Sequence, residues 1–216
     1  MSELSTSGSY ERTDRPYYSR SADGSKGINV SWKSLRIMTL LIFCLMTGAA
    51  VNGHAAPSGE YLLKAGFLYH FAKFIDWPEE AFADEQSPMI LGVLGVDPFD
   101  GALDSIDGKT VRATKILVVK RFAGIADLEP CHILFISRSE QGQAEKILQQ
   151  LEGTSVLTVS DLDRFARRGG MIRLIKVDNK IRFAINLKVA ESAGLVVSSR
   201  LLRLANIVES KQVGGQ

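Results

Sequence analysis

Met89-Ile90-Leu91-Gly92-Val93-Leu94-Gly95-Val96-Asp97-Pro98 is the stretch that decides the fold class. Its first eight residues are apolar or glycine, a run suited to a strand and short for a helix. Asp97 then suits a helix N-cap, because its carboxylate accepts an orphan amide. Pro98 suits the first helical position, where no amide hydrogen is needed. Residues 97–106 therefore read as a short helix, stopped by the turn pair Asp107-Gly108. Strand and helix keep alternating downstream. Residues 111–114 and 116–121 read as extended, and 133–137 as a buried strand. Residues 139–151 form an amphipathic helix with Ala144, Ile147, Leu148 and Leu151 on one side, and Gly153 as its C-cap. Residues 155–159 are another strand, and 161–167 a short helix ending at Gly169-Gly170. Residues 171–177 and 181–185 alternate around Asp178-Asn179-Lys180, which makes a hairpin. Residues 187–208 read as mostly helical, broken near Gly194 and restarted at Ser198 or Ser199. Such alternation predicts one α/β domain over residues 58–209. Its sheet is mixed and largely parallel, of about six strands, with helices on both faces and the hairpin as an antiparallel edge.

Upstream, residues 60–77 hold no proline and one glycine, Gly66, before Pro78 stops the run. At about 100° per residue, Tyr61, Ala65, Leu68, Phe71, Ala72 and Ile75 fall with Phe67 and Phe74 on one arc, wide enough for a core face. The opposite arc holds Leu62, Gly66, Tyr69, His70, Lys73 and Trp77. It mixes aromatic and polar groups, and Gly66 permits close backbone approach. Either the domain covers this second face itself, or Gly66, Tyr69, His70, Lys73 and Trp77 contact a partner or a second copy.

The chain before residue 56 reads as an address. Residues 1–32 are polar, rich in Ser, Gly, Tyr and Arg, with no apolar period. They are a disordered leader, or they reflect a start read too early, with Val30 near the true one. Lys33 and Arg36 then precede an apolar run at 37–45 and small residues at 48–50. That run is short of the roughly 20 residues of a permanent span. Residues 33–55 therefore read as a secretory signal peptide, and the mature chain as periplasmic with no membrane span of its own. Gly53 and Ala55 fit cleavage after Ala55; residues 49–51 are the alternative, and an uncleaved anchor is the other reading. Phe43 before Cys44 does not suit lipid attachment. Residues 210–216 read as a flexible tail.

With 45% hydrophobic and 23% charged residues, the chain is not a disordered one. Its 26 Lys and Arg against 24 Asp and Glu leave a net charge of +2, so no basic excess points to nucleic acid. Two cysteines exclude a disulfide scaffold. Past the leader, Cys131 stands alone, as a buried inert thiol or as a nucleophile or redox switch. The remaining histidines, His70 and His132, have no metal-binding spacing. The sequence lacks G-x-G-x-x-G, G-x-x-x-x-G-K-[ST] and G-x-S-x-G, so no catalytic residue and no cofactor is expected. Asp161 and Asp163 fit the positive end of the predicted helix at 161–167; as a catalytic pair they would lack a base or nucleophile. Two places suit a small anion. Gly95 and Asp97 form a loop at a sheet's carboxyl edge, unless it is only a tight turn. Arg167-Arg168-Gly169-Gly170-Met171 sets arginines beside a sharp reversal, with Arg173 and Arg182 on the adjacent hairpin strands, unless these are a solvated patch.

The segment Glu60-Tyr61-Leu62-Leu63-Lys64-Ala65-Gly66-Phe67-Leu68-Tyr69-His70-Phe71-Ala72-Lys73-Phe74-Ile75-Asp76-Trp77-Pro78 resembles the opening signature of the YfiR-like family of bacterial periplasmic proteins. The likeness continues at Gly95-Val96-Asp97-Pro98-Phe99, Val156-Leu157-Thr158-Val159-Ser160-Asp161 and Gly169-Gly170-Met171-Ile172. Arg182-Phe183-Ala184-Ile185-Asn186-Leu187 and Ser198-Ser199-Arg200-Leu201-Leu202-Arg203-Leu204-Ala205 close it. The resemblance implies a compact α/β domain without enzymatic activity. It also implies a partner, a membrane sensor such as a diguanylate cyclase, whose output the family's repressor lowers. One mature cysteine departs from a disulfide-controlled member.

Overall fold

A computed structural model describes residues 58–112 and 114–210. The expected leader, signal peptide and most of the tail lie outside the described residues. Helix α1 (Gly59–Phe74) is followed by β1 (Ile75–Asp76), β2 (Met89–Leu94), β3 (Thr110–Arg112), β4 (Lys115–Phe122) and β5 (Ile133–Ile136). Then come α2 (Ala144–Gln150), β6 (Leu157–Ser160), β7 (Ile172–Val177) and β8 (Lys180–Ile185). The chain closes with α3 (Leu187–Ser192), β9 (Val196–Val197), α4 (Ser199–Leu202) and β10 (Asn206–Ile207).

Eight strands form one sheet in the order β10-β8-β7-β6-β5-β2-β4-β3, and β1 pairs β9 in a small antiparallel sheet. From β4 through β7 the neighbours are parallel; β3–β4 and the hairpin β7–β8 are antiparallel. The α/β class and mostly parallel sheet match the sequence reading. The strand count rises above the expected six because the carboxyl-terminal segment is not mostly helical. Gly194, with φ of 74°, ends α3, and the β-branched pair Val196-Val197 then lies against Ile75-Asp76. Ser198 restarts the helix by accepting the Leu201 amide, and Asn206-Ile207 joins β8 in parallel.

The central strands are apolar on both faces, as a doubly covered sheet requires. Met89, Leu91 and Val93 of β2 pack in the core under α1, with Leu68 and Phe71. Leu94, Leu134 and Ile136 pack on the other face with Ile147 of α2. The hairpin turns on Asp178 and Asn179, both left-handed with φ of 46° and 58°, the geometry a two-residue connection needs. Three expected helices are shorter than read, and of residues 139–151 only Ala144–Gln150 is α-helical, after a 3-10 turn at Arg138–Glu140. Asp97 starts no α-helix: its carboxylate accepts the Phe99 amide at 2.8 Å, and one 3-10 turn follows at Ala102–Ser105. Residues 161–167 likewise give only a 3-10 turn, Phe165–Arg168.

The exposed face of the first helix and the ion pair beneath it

Helix α1 carries apolar side chains on both sides at its amino-terminal end, and the core covers only one of them. Leu62 and Leu63 are 49% and 51% exposed on its outer side. Gly66 lies one turn further along, and a Cβ added there would meet nothing within 4 Å. His70 and Lys73 continue the same exposed strip. Tyr69 is half-buried at its edge; its hydroxyl donates to the Thr110 carbonyl at 3.0 Å, and the Lys73 ammonium lies 5.3 Å from its ring. Gly66, Tyr69, His70 and Lys73 are therefore brought together as the helical spacing places them.

Trp77 is not part of that strip, which corrects the contact set. It is 7% exposed, in the core under α1, and its indole N–H donates to the His132 carbonyl at 3.2 Å. A helical projection does not extend to it. The helix ends at Phe74, because Ile75 is already extended and pairs with Val197 in β1, which turns the chain inward. His132 completes a clasp on the connecting loop. Its Nδ1 accepts the Ile90 amide at 2.9 Å, so Nε2 carries the hydrogen that reaches the Ala81 carbonyl at 3.0 Å. The ring stacks on Phe82 at 4.4 Å, and Lys115, the charged group facing it, sits over that same Phe82. Burial, aided by Lys115, lowers the imidazole's pKa, while the Ala81 carbonyl opposes the shift. The folded state therefore resists a proton that the unfolded chain accepts near pH 6.5. Stability is expected to be complete above about pH 6.5 and to decline as the pH falls below it. Urea midpoints across pH 8 to 5 check this, with His132→Gln expected to flatten that window.

Beneath the amino-terminal half of α1 lies a network that the sequence reading missed. The Lys64 ammonium is 2.5 Å from Asp161 Oδ2 and 2.6 Å from Glu60 Oε1, and the Lys64 and Asp161 side chains are 1% and 2% exposed. The Tyr61 hydroxyl donates to the same Asp161 oxygen at 2.9 Å, and Arg138 reaches Oδ1 at 3.2 Å. Burial pushes the Asp161 carboxyl up, but the Lys64 hydrogen bond and charge, then Tyr61 and Arg138, outweigh it and hold the carboxyl below its ordinary value. Burial and the Asp161 charge push the Tyr61 phenol strongly up. The dipole role expected for Asp161 is thus replaced: no helix starts there, and its charge is held by α1. One signal for this was present. Lys64 falls on the inward arc with Tyr61, Leu68 and Phe71, and a lysine there needs a buried acid.

The residues expected around a small anion are not gathered into one site. Gly95 follows β2, with φ of 87° and Ser137, Ser139 and Glu140 where a side chain would stand. Asp97 accepts from Arg121 at 2.6 Å. The chain runs from β2 to β4 on one side and returns to β5 on the other, the reversal at which open sheets bind ligands. Here Ser137 and Ser139 fill it beside Gly95, and Arg138 bonds to Asp161 next door. Arg173 pairs with Asp163, and Arg182 lies on the same face of the hairpin, opposite Ile175. Arg168 and Gly169 instead line a groove beside α2, while Gly170 is packed on the Phe165 ring.

A family model described as DUF4154, YfiR/HmsC-like, matches residues 61–206. The chain belongs to the YfiR/HmsC-like family. No curated protein matches it. The matched span runs from α1 to β10, so the exposed strip and the buried ion pair both lie inside the YfiR-like domain. The family is one of periplasmic regulatory proteins. No described helix is long and apolar enough to cross a membrane. In this YfiR-like domain Cys131 is a free buried thiol, pushed up to about 12 by burial. That keeps it in the unreactive thiol form at neutral pH.

Proposed function

We propose that this YfiR-like chain is a periplasmic regulator that docks through the outer face of α1 on the sensor part of a membrane-bound diguanylate cyclase and lowers its output. The observation that supports it most is the pair of half-exposed leucines, Leu62 and Leu63, beside the open Gly66. Exposed aliphatics grouped on one helix face next to a small residue suit a close-packed contact, with His70 and Lys73 as its polar rim. The opposite side of the same helix is fixed by Phe71 and by the Lys64–Asp161 pair, so the face is presented without reordering. Repression follows if the face fits the inactive sensor state better than the active one, since only differential affinity moves an equilibrium.

The test is retention of the purified periplasmic sensor domain by wild type and by Leu62→Asp/Leu63→Asp. Both side chains are half-exposed, so melting is expected to stay within about 4 °C of wild type. Retention is expected to weaken roughly tenfold or more. Unchanged retention sinks the proposed face. Sizing of both proteins shows whether a second copy, not a sensor, occupies it.

A further inference from the structure

The turn after β6 holds three arginines in five residues, and none of them forms an ion pair among the described residues. Arg164, Arg167 and Arg168 line a groove of about 1010 Å³ between α2 and α3, together with Lys188. Among the described residues, none of these four cations lies within 4.0 Å of a carboxylate. The backbone that carries them is constrained. Arg164 has φ of 59°, a region disfavoured for a residue with a side chain, and Gly169 has φ of 97°. The Arg164 carbonyl accepts the amides of Arg167 and Arg168 at 2.8 and 3.0 Å. A Cβ on Gly170 would lie 2.3 Å from the Phe165 ring, so only glycine closes the turn. Asn186 donates to the Ala166 carbonyl at 2.9 Å and to Ser210 Oγ at 2.7 Å, which ties the turn to the strand end and the last described residue. Like charges are thus held side by side on a braced turn, an arrangement that an anion relieves.

We propose that this groove binds a small organic carboxylate with an apolar body. Guanidinium forks match a carboxylate in two-point fashion, which places the charged end on Arg164, Arg167 and Arg168. Leu148, Leu151, Met171 and Val189 supply an apolar lining for the rest of the molecule. Glu145, Glu152 and Glu209 also line the groove. They disfavour a polyanion and limit the ligand to one negative end. The site lies apart from Gly95 and Asp97 and does not rest on docking through α1. It gives the regulator a place to take up a signal molecule.

The experiment is calorimetric titration of the purified domain with octanoate, acetate and inorganic phosphate. Wild type is compared with Arg167→Ala/Arg168→Ala; these side chains are exposed, and a melting curve confirms that the variant folds. Octanoate is expected to bind wild type at least tenfold more tightly than acetate or phosphate, and at least tenfold more weakly in the double variant. No octanoate binding, equal affinity in wild type and double variant, or acetate or phosphate matching octanoate overturns the proposal. Retention of the sensor domain reads a different surface, so the two ideas fail separately.

Discussion

Replacing Lys64 with alanine is expected to destabilise the domain by about 3–5 kcal/mol, the loss typical when one member of a buried pair is removed. The reason lies in what remains. Asp161 is almost fully enclosed, and among the described residues its remaining charged partner without Lys64 is Arg138, whose side chain is 68% exposed and which reaches the other oxygen at 3.2 Å. Glu60 would keep Lys176, at 3.3 Å. At about 2–4 °C per kcal/mol for a chain of this size, the melting temperature falls by roughly 6–20 °C. The comparison that isolates the mechanism is Lys64→Met with Asp161→Leu. Removing both charges relieves the unpaired acid, so the double variant is expected to be more stable than Lys64→Ala. The pair also carries an acid sensitivity. Asp161 titrates below its ordinary value in the folded state, so its contribution is complete above the unfolded carboxylate range and is lost as pH falls through the folded value. That window lies well below the one set by His132. A Lys64→Ala protein melting within 2 °C of wild type would show that the network carries little of the domain's stability.

Trp77→Ala is expected to cost about 3–5 kcal/mol, as a large buried aromatic does. The indole fills core space under α1, beside the β1 crossing that carries the chain off the helix. Its hydrogen bond matters less than its volume. The His132 carbonyl that accepts it also accepts the Leu157 amide at 2.8 Å, and so stays satisfied when the indole is gone. Trp77→Phe is therefore expected to cost only about 1 kcal/mol for the lost hydrogen bond, plus the smaller volume change. Urea unfolding of the two variants separates these terms. Lost sensor retention in Trp77→Ala would report unfolding, not a contact, which is why the face of α1 is probed at Leu62 and Leu63 instead.

Where a residue's role depended on local pattern, the sequence was readable. The apolar run of β2, the Asp178-Asn179 reversal, the Ser198 restart and the inward arc of α1 each follow from periodicity or backbone preference within a few residues. What escaped depended on distant pairing. Val196-Val197 became a strand because Ile75-Asp76 lies beside it, across more than a hundred residues of chain. Asp161 reads locally as a helix-start acid, but Lys64 of α1 pairs with it from almost a hundred residues away. Trp77 lies past the end of the helix at Phe74, where Ile75-Asp76 pairs with Val196-Val197, so a helical projection does not place it. Of the candidate site, the Gly66–Lys73 spacing was visible, whereas its support by the buried ion pair was not. The exposure of Leu62 and Leu63 could not be read either, since an apolar helix looks the same whether one or both of its sides are covered.

The most direct measurement is cyclic-di-GMP synthesis by membranes carrying the partner cyclase, titrated with purified wild type and with Leu62→Asp/Leu63→Asp. The expected result is that wild type lowers synthesis and that roughly tenfold or more of the variant is needed for the same effect. Synthesis unchanged by wild type, or lowered equally by both proteins, would contradict regulation through the outer face of α1.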